Sequence, residues 1–394
     1  MTVGYALRTR TGPTQPPVGP RISASTLGTR LDPRANALNA VRLVLACAVI
    51  VSHSWMLGRY GRTPNFAGET LGGWSVFAFF VLSGYLVTGS RLSTDFTGFV
   101  RKRVLRIYPG FVVCLLATVV VFAPIGFYQA HHGLSGYAST GTTPIDYLLA
   151  DIGMKMNAYH VAGTPTNSHA WTGSLWSLYF EFLCYLLVGL LAFWRPFRRR
   201  PAVAVLLLAM VTTARLQVDP LSNLAQSPDF VLLLRLVPYF LAGSVLFLLR
   251  DRIPCRWPVA AAAALAVPSI AVVGGNHAVS LCALPMGYVL LYVGAVLPVR
   301  LGRRNDISYG MYMYGYPVEQ LLRLVRPPSH AGYIVLAILC TVPLAAASWF
   351  LVERPAMRLG RSRRTPRPPT SPLPSRRAWP PSARSAQGDH DGSG

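Results

Sequence analysis

The chain contains an apolar stretch at residues 40–57, AVRLVLACAVIVSHSWML, which carries Arg42 and His53. At about 100° per residue, the eleven steps between them leave a net rotation of about 20°, so both side chains lie on one helix face, about 16 Å apart along the axis. A cation in hydrocarbon costs about 2.5 to 3.5 kcal/mol on insertion scales. The pair therefore indicates a functional site or pathway inside a membrane.

The composition also indicates a membrane protein. Hydrophobic residues make up 52% of the 394 and charged residues only 13%, whereas soluble domains average about 25% charged residues. Apolar runs close to the about 20 residues that cross a bilayer recur along the chain. We therefore expect an all-α polytopic membrane protein in one domain. About ten transmembrane helices are predicted, at residues 37–57, 72–90, 107–127, 174–194, 201–217, 230–249, 257–274, 278–298, 306–326 and 331–352.

The distribution of the basic residues predicts the topology. With a cytoplasmic N-terminus, 29 of the 37 Lys+Arg fall on the cytoplasmic side and six outside, and Arg42 and Arg235 lie within spans. This asymmetry follows the positive-inside rule and predicts that both termini are cytoplasmic. Because the net charge of +23 is dispersed over several loops, it argues against nucleic-acid binding and suits attraction to anionic lipid headgroups.

The two ends of the chain differ from the membrane domain, which we place at residues 37–360. Residues 1–36 and 361–394 are rich in Pro and Arg and cannot form a core, so we expect disordered basic cytoplasmic tails. The first 36 residues lack the pattern of a cleaved signal peptide. The six cysteines suggest no external disulfide, and the histidines of the segment 128–173 lack the spacing of a zinc site, so we predict no metal.

A basic cluster, RKRVLR at residues 101–106, precedes the third predicted span. Arg103 and Arg106 are three residues apart, so on a helix they occupy neighbouring positions and could clamp a phosphate or pyrophosphate together. The alternative is that these residues only orient the span.

A third cluster, WTGSLWSLYFE at residues 171–181, ends in Glu181. We interpret Glu181 as the one glutamate well inside a span, in the outer half of the membrane and at the depth of His53. A carboxylate and an imidazole at matched depth could share a proton or fix a tautomer. The alternative is a buried glutamate that pairs with Arg235 or an amide for packing.

Six motifs in order and spacing resemble the membrane acyltransferase-3 family, the O-acyltransferases that modify bacterial surface glycans and some secreted small molecules. The resemblance covers about residues 37 to 360. The motifs are Arg42 with His53, FFVLSGYL at 79–86, Arg103–Arg106 before Tyr108-Pro109, WSL at 176–178 with Glu181, ISYGMY at 307–312, and VERP at 352–355.

The resemblance implies transfer of an acyl group, usually acetyl, from acyl-CoA at the cytoplasmic face to a hydroxyl of a carbohydrate, glycolipid or glycosylated small molecule at the cell membrane. It implies that His53 is the catalytic histidine, with Arg42 supporting it or the donor. It further implies that Arg103 and Arg106 meet the anionic coenzyme and that Glu181 is the intramembrane acid residue. Many members have a His before the aromatic-Pro pair of the ninth span, where this chain has Gly315.

Two alternatives stay open from sequence. His53 either deprotonates the acceptor hydroxyl or carries the acyl group itself. The competing function is a transporter or flippase in which Arg42, His53 and Glu181 form a proton relay. No internal repeat of the kind that many transporters carry is visible in the sequence, which favours the enzyme.

Overall fold

The computed structural model describes residues 25–32, 36–166, 169–217, 227–299, 305–325, 327 and 329–360, with backbone alone at 276 and 277. The described chain is mainly helical and has one short antiparallel hairpin, β1 Asn65–Phe66 and β2 Glu69–Thr70. The helices are α1 Leu27–Arg30, α2 Leu38–Leu57, α3 Leu71–Leu92, α4 Phe96–Ala117, α5 Ala123–His131, α6 Pro144–Asp151, α7 Trp176–Leu191, α8 Arg195–Arg199, α9 Pro201–Leu216, α10 Pro228–Leu249, α11 Trp257–Ala278, α12 Ala283–Val296, α13 Ser308–Val325, α14 His330–Ser348 and α15 Arg354–Leu359. Short non-α turns connect three pairs: π-helical Thr118–Phe122 and Trp349–Glu353, and 3₁₀ Val279–Cys282.

The prediction of an all-α polytopic membrane protein is confirmed. Among the described residues, seven helices are long and apolar enough to cross a bilayer, and each coincides with a predicted span. The spans predicted at 174–194, 201–217 and 306–326 correspond to the shorter α7 and α9 and to the less apolar α13. The total of ten and the cytoplasmic termini stay predictions.

Helix α13 lies inside the bundle, which explains its weaker hydropathy. Its residues from Ser308 to Gln320 are all buried, although they include four tyrosines, a glutamate and a glutamine. A helix that faces protein instead of lipid can carry polar groups, because neighbouring helices can satisfy them.

The basic cluster lies within a helix and not before one. Helix α4 begins at Phe96, where the carboxylate of Asp95 accepts a hydrogen bond from the Gly98 N–H at 3.1 Å. With its π-helical turn and α5 it continues to His131, well beyond both ends of the predicted span 107–127. Arg103 and Arg106 therefore have fixed helical positions on α4.

Part of the predicted N-terminal arm is ordered. Helix α1 is capped by Thr26, and Leu27 is fully buried. The Leu27 N–H donates to the Ile253 carbonyl at 3.0 Å, and the Cys255 N–H donates to the Ser25 carbonyl at 2.7 Å. The cause is the burial of two leucines, Leu27 and Leu31, together with the backbone hydrogen bonds, which the polar composition of the arm does not reveal. Residues 1–24, 33–35 and 361–394, where the rest of the tails was predicted, lie outside the described residues.

Helices α3 and α10 pack closely because each has a glycine where they cross. A Cβ placed on Gly84 would lie 1.9 Å from the Phe240 carbonyl oxygen, and one on Gly243 would lie 2.1 Å from the Val81 carbonyl oxygen. Small residues at such crossings are how membrane helices approach closely. This contact sets the position of α3, which carries Ser83 and the aromatic residues of the site.

Candidate active site

His53 lies near the end of α2 and faces α13. Its Nδ1 is 3.9 Å from Glu319 Oε2, and its ring packs edge-on against Tyr316 with centroids 4.9 Å apart. The His53 side chain is 21% exposed, whereas the Glu319 side chain is fully buried. The imidazole is thus held by α13 on one side and is accessible on another, as a group that exchanges protons with a substrate must be.

Glu319 is a functional candidate that the sequence interpretation overlooks. Among the described residues, neither of its carboxylate oxygens has a hydrogen-bond partner, and the nearest cationic candidate is His53. A signal was present, because Glu319 falls inside the predicted span 306–326 and a carboxylate in a bilayer needs a partner or a function.

Glu181 has other partners than the ones predicted. Its Oε1 accepts hydrogen bonds from Ser83 Oγ at 2.5 Å and from Tyr185 OH at 2.6 Å. The structure therefore pairs Glu319, and not Glu181, with His53. Tyr185 stands one turn after Glu181 on α7 and Ser83 reaches it from α3, so local helix geometry satisfies this carboxylate. The alternative partner Arg235 forms an ion pair with Glu69 of β2.

Arg42 and Glu181 meet at one cavity inside the bundle. They line it together with Phe79, Ser177, Leu178, Ser308 and Tyr312, among other residues of α3, α7 and α13. It offers a cation, a carboxylate and hydroxyl groups on an otherwise apolar wall. Its volume of about 30 Å³ is enough for a group of the size of a water molecule.

Arg42 is tied to the arginines of α4 through a shared carboxylate. Asp306 Oδ2 lies 2.6 Å from Arg42 Nη1 and 2.6 Å from Arg106 Nη2. Arg106 Nη1 also binds Glu353 Oε2 at 3.0 Å, and Ser308 Oγ donates to the second oxygen of Asp306. These contacts link α2, α4, α13 and the turn after α14 into one charged network at the α4 end of the bundle.

Arg103 differs from Arg106 in its partners. Its Nη2 donates to Ser90 Oγ at 3.4 Å, its guanidinium lies over the Tyr185 ring, and its buried Nε has no hydrogen-bond partner among the described residues. An adjoining pocket is lined by basic residues of α4 and by α15, including Arg101, Lys102, Arg103, Arg106 and Met357. The two arginines predicted to bind one anion together therefore differ. Arg106 is paired with acidic residues, whereas Arg103 has an N–H group without a hydrogen-bond partner among the described residues.

Gly315 is required by packing. A Cβ at this position would lie 2.7 Å from Ile50 Cγ1 on α2. No imidazole fits there in this arrangement, and Tyr316 instead supplies the ring that contacts His53. Among the described residues, no group of three or more His, Cys, Asp or Glu could hold a metal ion.

Fold and site together define an all-α polytopic membrane protein with a histidine–carboxylate pair and a charged arginine network inside its helical bundle. The acyltransferase-3 family model, an acyltransferase domain, matches residues 35–353. The chain belongs to this family and is a membrane-bound O-acyltransferase, which confirms the resemblance read from its motifs.

Several curated proteins are similar over nearly their whole length. The chain is 28% identical to the O-acetyl transferase of Shigella phage Sf6, over 82% of this chain and 96% of that protein. It is 29% identical to Nodulation protein 10 of Rhizobium leguminosarum bv. viciae (82% and 94%) and 27% identical to the exopolysaccharide production protein ExoZ of Rhizobium meliloti (75% and 92%). No solved structure matches the chain significantly.

Proposed function

We propose that this protein transfers an acetyl group from acetyl-CoA to a hydroxyl of a carbohydrate or glycosylated acceptor at the plasma membrane. The observation that carries the proposal is the approach of His53 Nδ1 to the buried Glu319 carboxylate inside a bundle of this family. The names of two relatives, an O-acetyl transferase and an exopolysaccharide production protein, support acetyl and carbohydrate as the two reaction partners.

In the proposed reaction His53 is the general base. Since Nδ1 faces Glu319, Nε2 is the nitrogen left for the acceptor hydroxyl, and Glu319 stabilises the imidazolium that forms. As Nε2 takes the hydroxyl proton, the acceptor oxygen attacks the thioester carbonyl carbon. The C–S bond then breaks, the acetyl ester forms, and the proton passes from His53 to the departing thiolate. The carboxylate partner favours this role over the acyl carrier, because it stabilises the protonated ring.

The donor is proposed to enter at the α4 end. Arg103 has a free donor beside a basic pocket, which suits the anionic part of acyl-CoA. Arg106 and Arg42 support this end through Asp306, so Arg42 acts with the donor and not with His53. Because Arg42 and His53 are about 16 Å apart along α2, the coenzyme's pantetheine arm would cover roughly this distance. Glu181 and Arg42 would line its path.

The test is transfer of labelled acetyl from acetyl-CoA in membranes that contain equal amounts of wild type or His53→Ala. His132→Ala is the matched control, since His132 is an exposed histidine after α5. We expect label in a glycan fraction with wild type and the control, and none with His53→Ala. Equal labelling by all three proteins would refute the role of His53. Label in a lipid or small-molecule fraction would support the acetyl transfer but would show that the acceptor is a lipid or a small molecule instead of a glycan.

A further inference from the structure

A second polar pocket lies at the His53 end of the bundle, opposite the basic pocket of α4. Its lining includes the end of α2, the end of α13 and the segment before α7, and its accessible polar side chains are Arg59, Tyr60, Thr166 and Arg323. None of its described lining residues is acidic. The pocket is therefore polar and electropositive, unlike the apolar cavity between the helices.

The pocket is adjacent to the reacting pair. Gln320, which follows Glu319, lines it, and Arg323 stands about 6 Å further along α13, one turn from Glu319. Tyr333 also lines it and donates its hydroxyl proton to the Glu319 carbonyl oxygen at 2.6 Å. On the other side, Arg59 follows His53 by six residues. The pocket thus adjoins the parts of α2 and α13 that carry His53 and Glu319, although neither of these two residues belongs to its described lining.

The positive charge here runs against the general distribution in the chain. Of the six Lys+Arg predicted on the outer side, four occur in the two segments 59–62 and 323–326. Arg59 adopts a left-handed backbone conformation, with φ of 61°, that a residue with a side chain rarely takes. A glycine would adopt this conformation at a lower cost in backbone energy.

The positive charges of Arg59 and Arg323 both reach the same part of the pocket. The pKa of His169, in the segment before α7, is lowered first by its partial burial and then by the positive charges of Arg323 and Arg59. Both arginines are therefore close enough to one point to repel a third cation. The same field attracts an anion, and a guanidinium binds a carboxylate or phosphate with two parallel hydrogen bonds.

We propose that this pocket binds the acceptor carbohydrate through a negatively charged substituent, a carboxylate or a phosphate, held by Arg59 and Arg323. The inference rests on the proposed function, because it takes the ligand to be the acceptor. Binding of the charged group beside Glu319 would fix which hydroxyl of the sugar reaches His53. The protein is then selective for acidic glycans, and neutral sugars are poor acceptors.

The test compares three acceptors with wild-type membranes: trigalacturonate, the same trimer after carboxyl reduction, and a mannose trimer carrying one phosphate. We expect a KM about tenfold lower for at least one charged trimer than for the neutral one, and the charged trimer that is preferred identifies carboxylate or phosphate as the natural group. In Arg59→Gln/Arg323→Gln this preference disappears, because the KM for the charged trimer rises to that for the neutral one. Arg62→Gln, at an exposed arginine outside the pocket lining, keeps the preference.

Two further measurements separate this inference from the proposed function. A free monosaccharide that carries the preferred group, either galacturonate or a sugar phosphate, should raise the KM of wild type for the preferred acidic trimer, which needs no variant. Labelled acidic trimer should also bind to membranes that contain His53→Ala. This binding should be lost when Arg59→Gln and Arg323→Gln are added. Transfer through His53 at equal KM for all three trimers would overturn the inference and leave the acyltransferase intact. Arginine-dependent binding without any transfer would keep the pocket and overturn the proposed reaction.

Discussion

Replacing Glu319 by Gln keeps the shape of the side chain and removes its charge. At an effective dielectric constant of about 20, a carboxylate and an imidazolium 3.9 Å apart attract each other by about 4 kcal/mol. If this attraction develops only when His53 takes the acceptor proton, its loss lowers kcat about 1000-fold. Because the attraction is absent before proton transfer, KM for both substrates should change little.

The assay is the initial rate of acetyl transfer in membranes, with matched protein amounts and with the monodispersity of the solubilised protein as the folding control. Glu319→Asp keeps the charge at a greater distance and should lie between wild type and Glu319→Gln. Glu181→Gln should show a different pattern, because its carboxylate binds Ser83 and Tyr185 and lines the donor path. A Glu319→Gln protein that is folded and retains more than about a tenth of wild-type kcat would refute the pairing.

Three further predictions concern the rest of the bundle. Arg103→Gln should raise the KM for acetyl-CoA about tenfold with little change in kcat, because the basic pocket loses a hydrogen-bond donor. The same change at the exposed Arg198 should leave this KM unchanged, and steady-state kinetics of both variants is the measurement. Asp306→Asn should lower the free energy of unfolding by about 3 kcal/mol, since it leaves two partly buried guanidinium groups without their shared carboxylate; a melting temperature equal to that of wild type would contradict this. Gly84→Ala should destabilise the protein by about 2 kcal/mol, because its Cβ would overlap a backbone carbonyl of α10, whereas Gly133→Ala, with open space around it, should be neutral in the same melting experiment.

The fold class could be read from the sequence because hydrocarbon length and helix length are linked. Seven predicted spans coincide with membrane-length helices. Hydropathy could not locate the start of α4, since Asp95 caps a helix whose first turns carry the basic cluster. It also could not show that α13 is central, because a helix surrounded by protein tolerates the tyrosines and the glutamate that lower its apparent membrane character.

The types of residue in the site could be predicted from the sequence, but which side chains contact each other could not. His53 and Arg42 stand out as charges in an apolar segment, but depth alone could not tell which glutamate faces the imidazole. That choice depends on rotation of helices about their axes, which places Glu181 beside Ser83 and Tyr185 and turns Glu319 toward α2. Likewise, the spacing of Arg103 and Arg106 did not indicate that Arg106 forms ion pairs with Asp306 and Glu353. These two residues lie 200 and 247 positions further along the chain, so local spacing carries no information about them.

In the proposed reaction an acetyl group passes from a donor at the α4 end to an acceptor at the His53 end of one bundle. This transfer is tested most directly with sealed vesicles of both orientations, because acetyl-CoA is charged and does not cross the bilayer. With labelled acetyl-CoA added outside, inside-out vesicles should label an acceptor in their lumen, right-side-out vesicles should label none, and His53→Ala should abolish the signal. Labelling by right-side-out vesicles, or only of acceptor on the same side as the donor, would contradict the account.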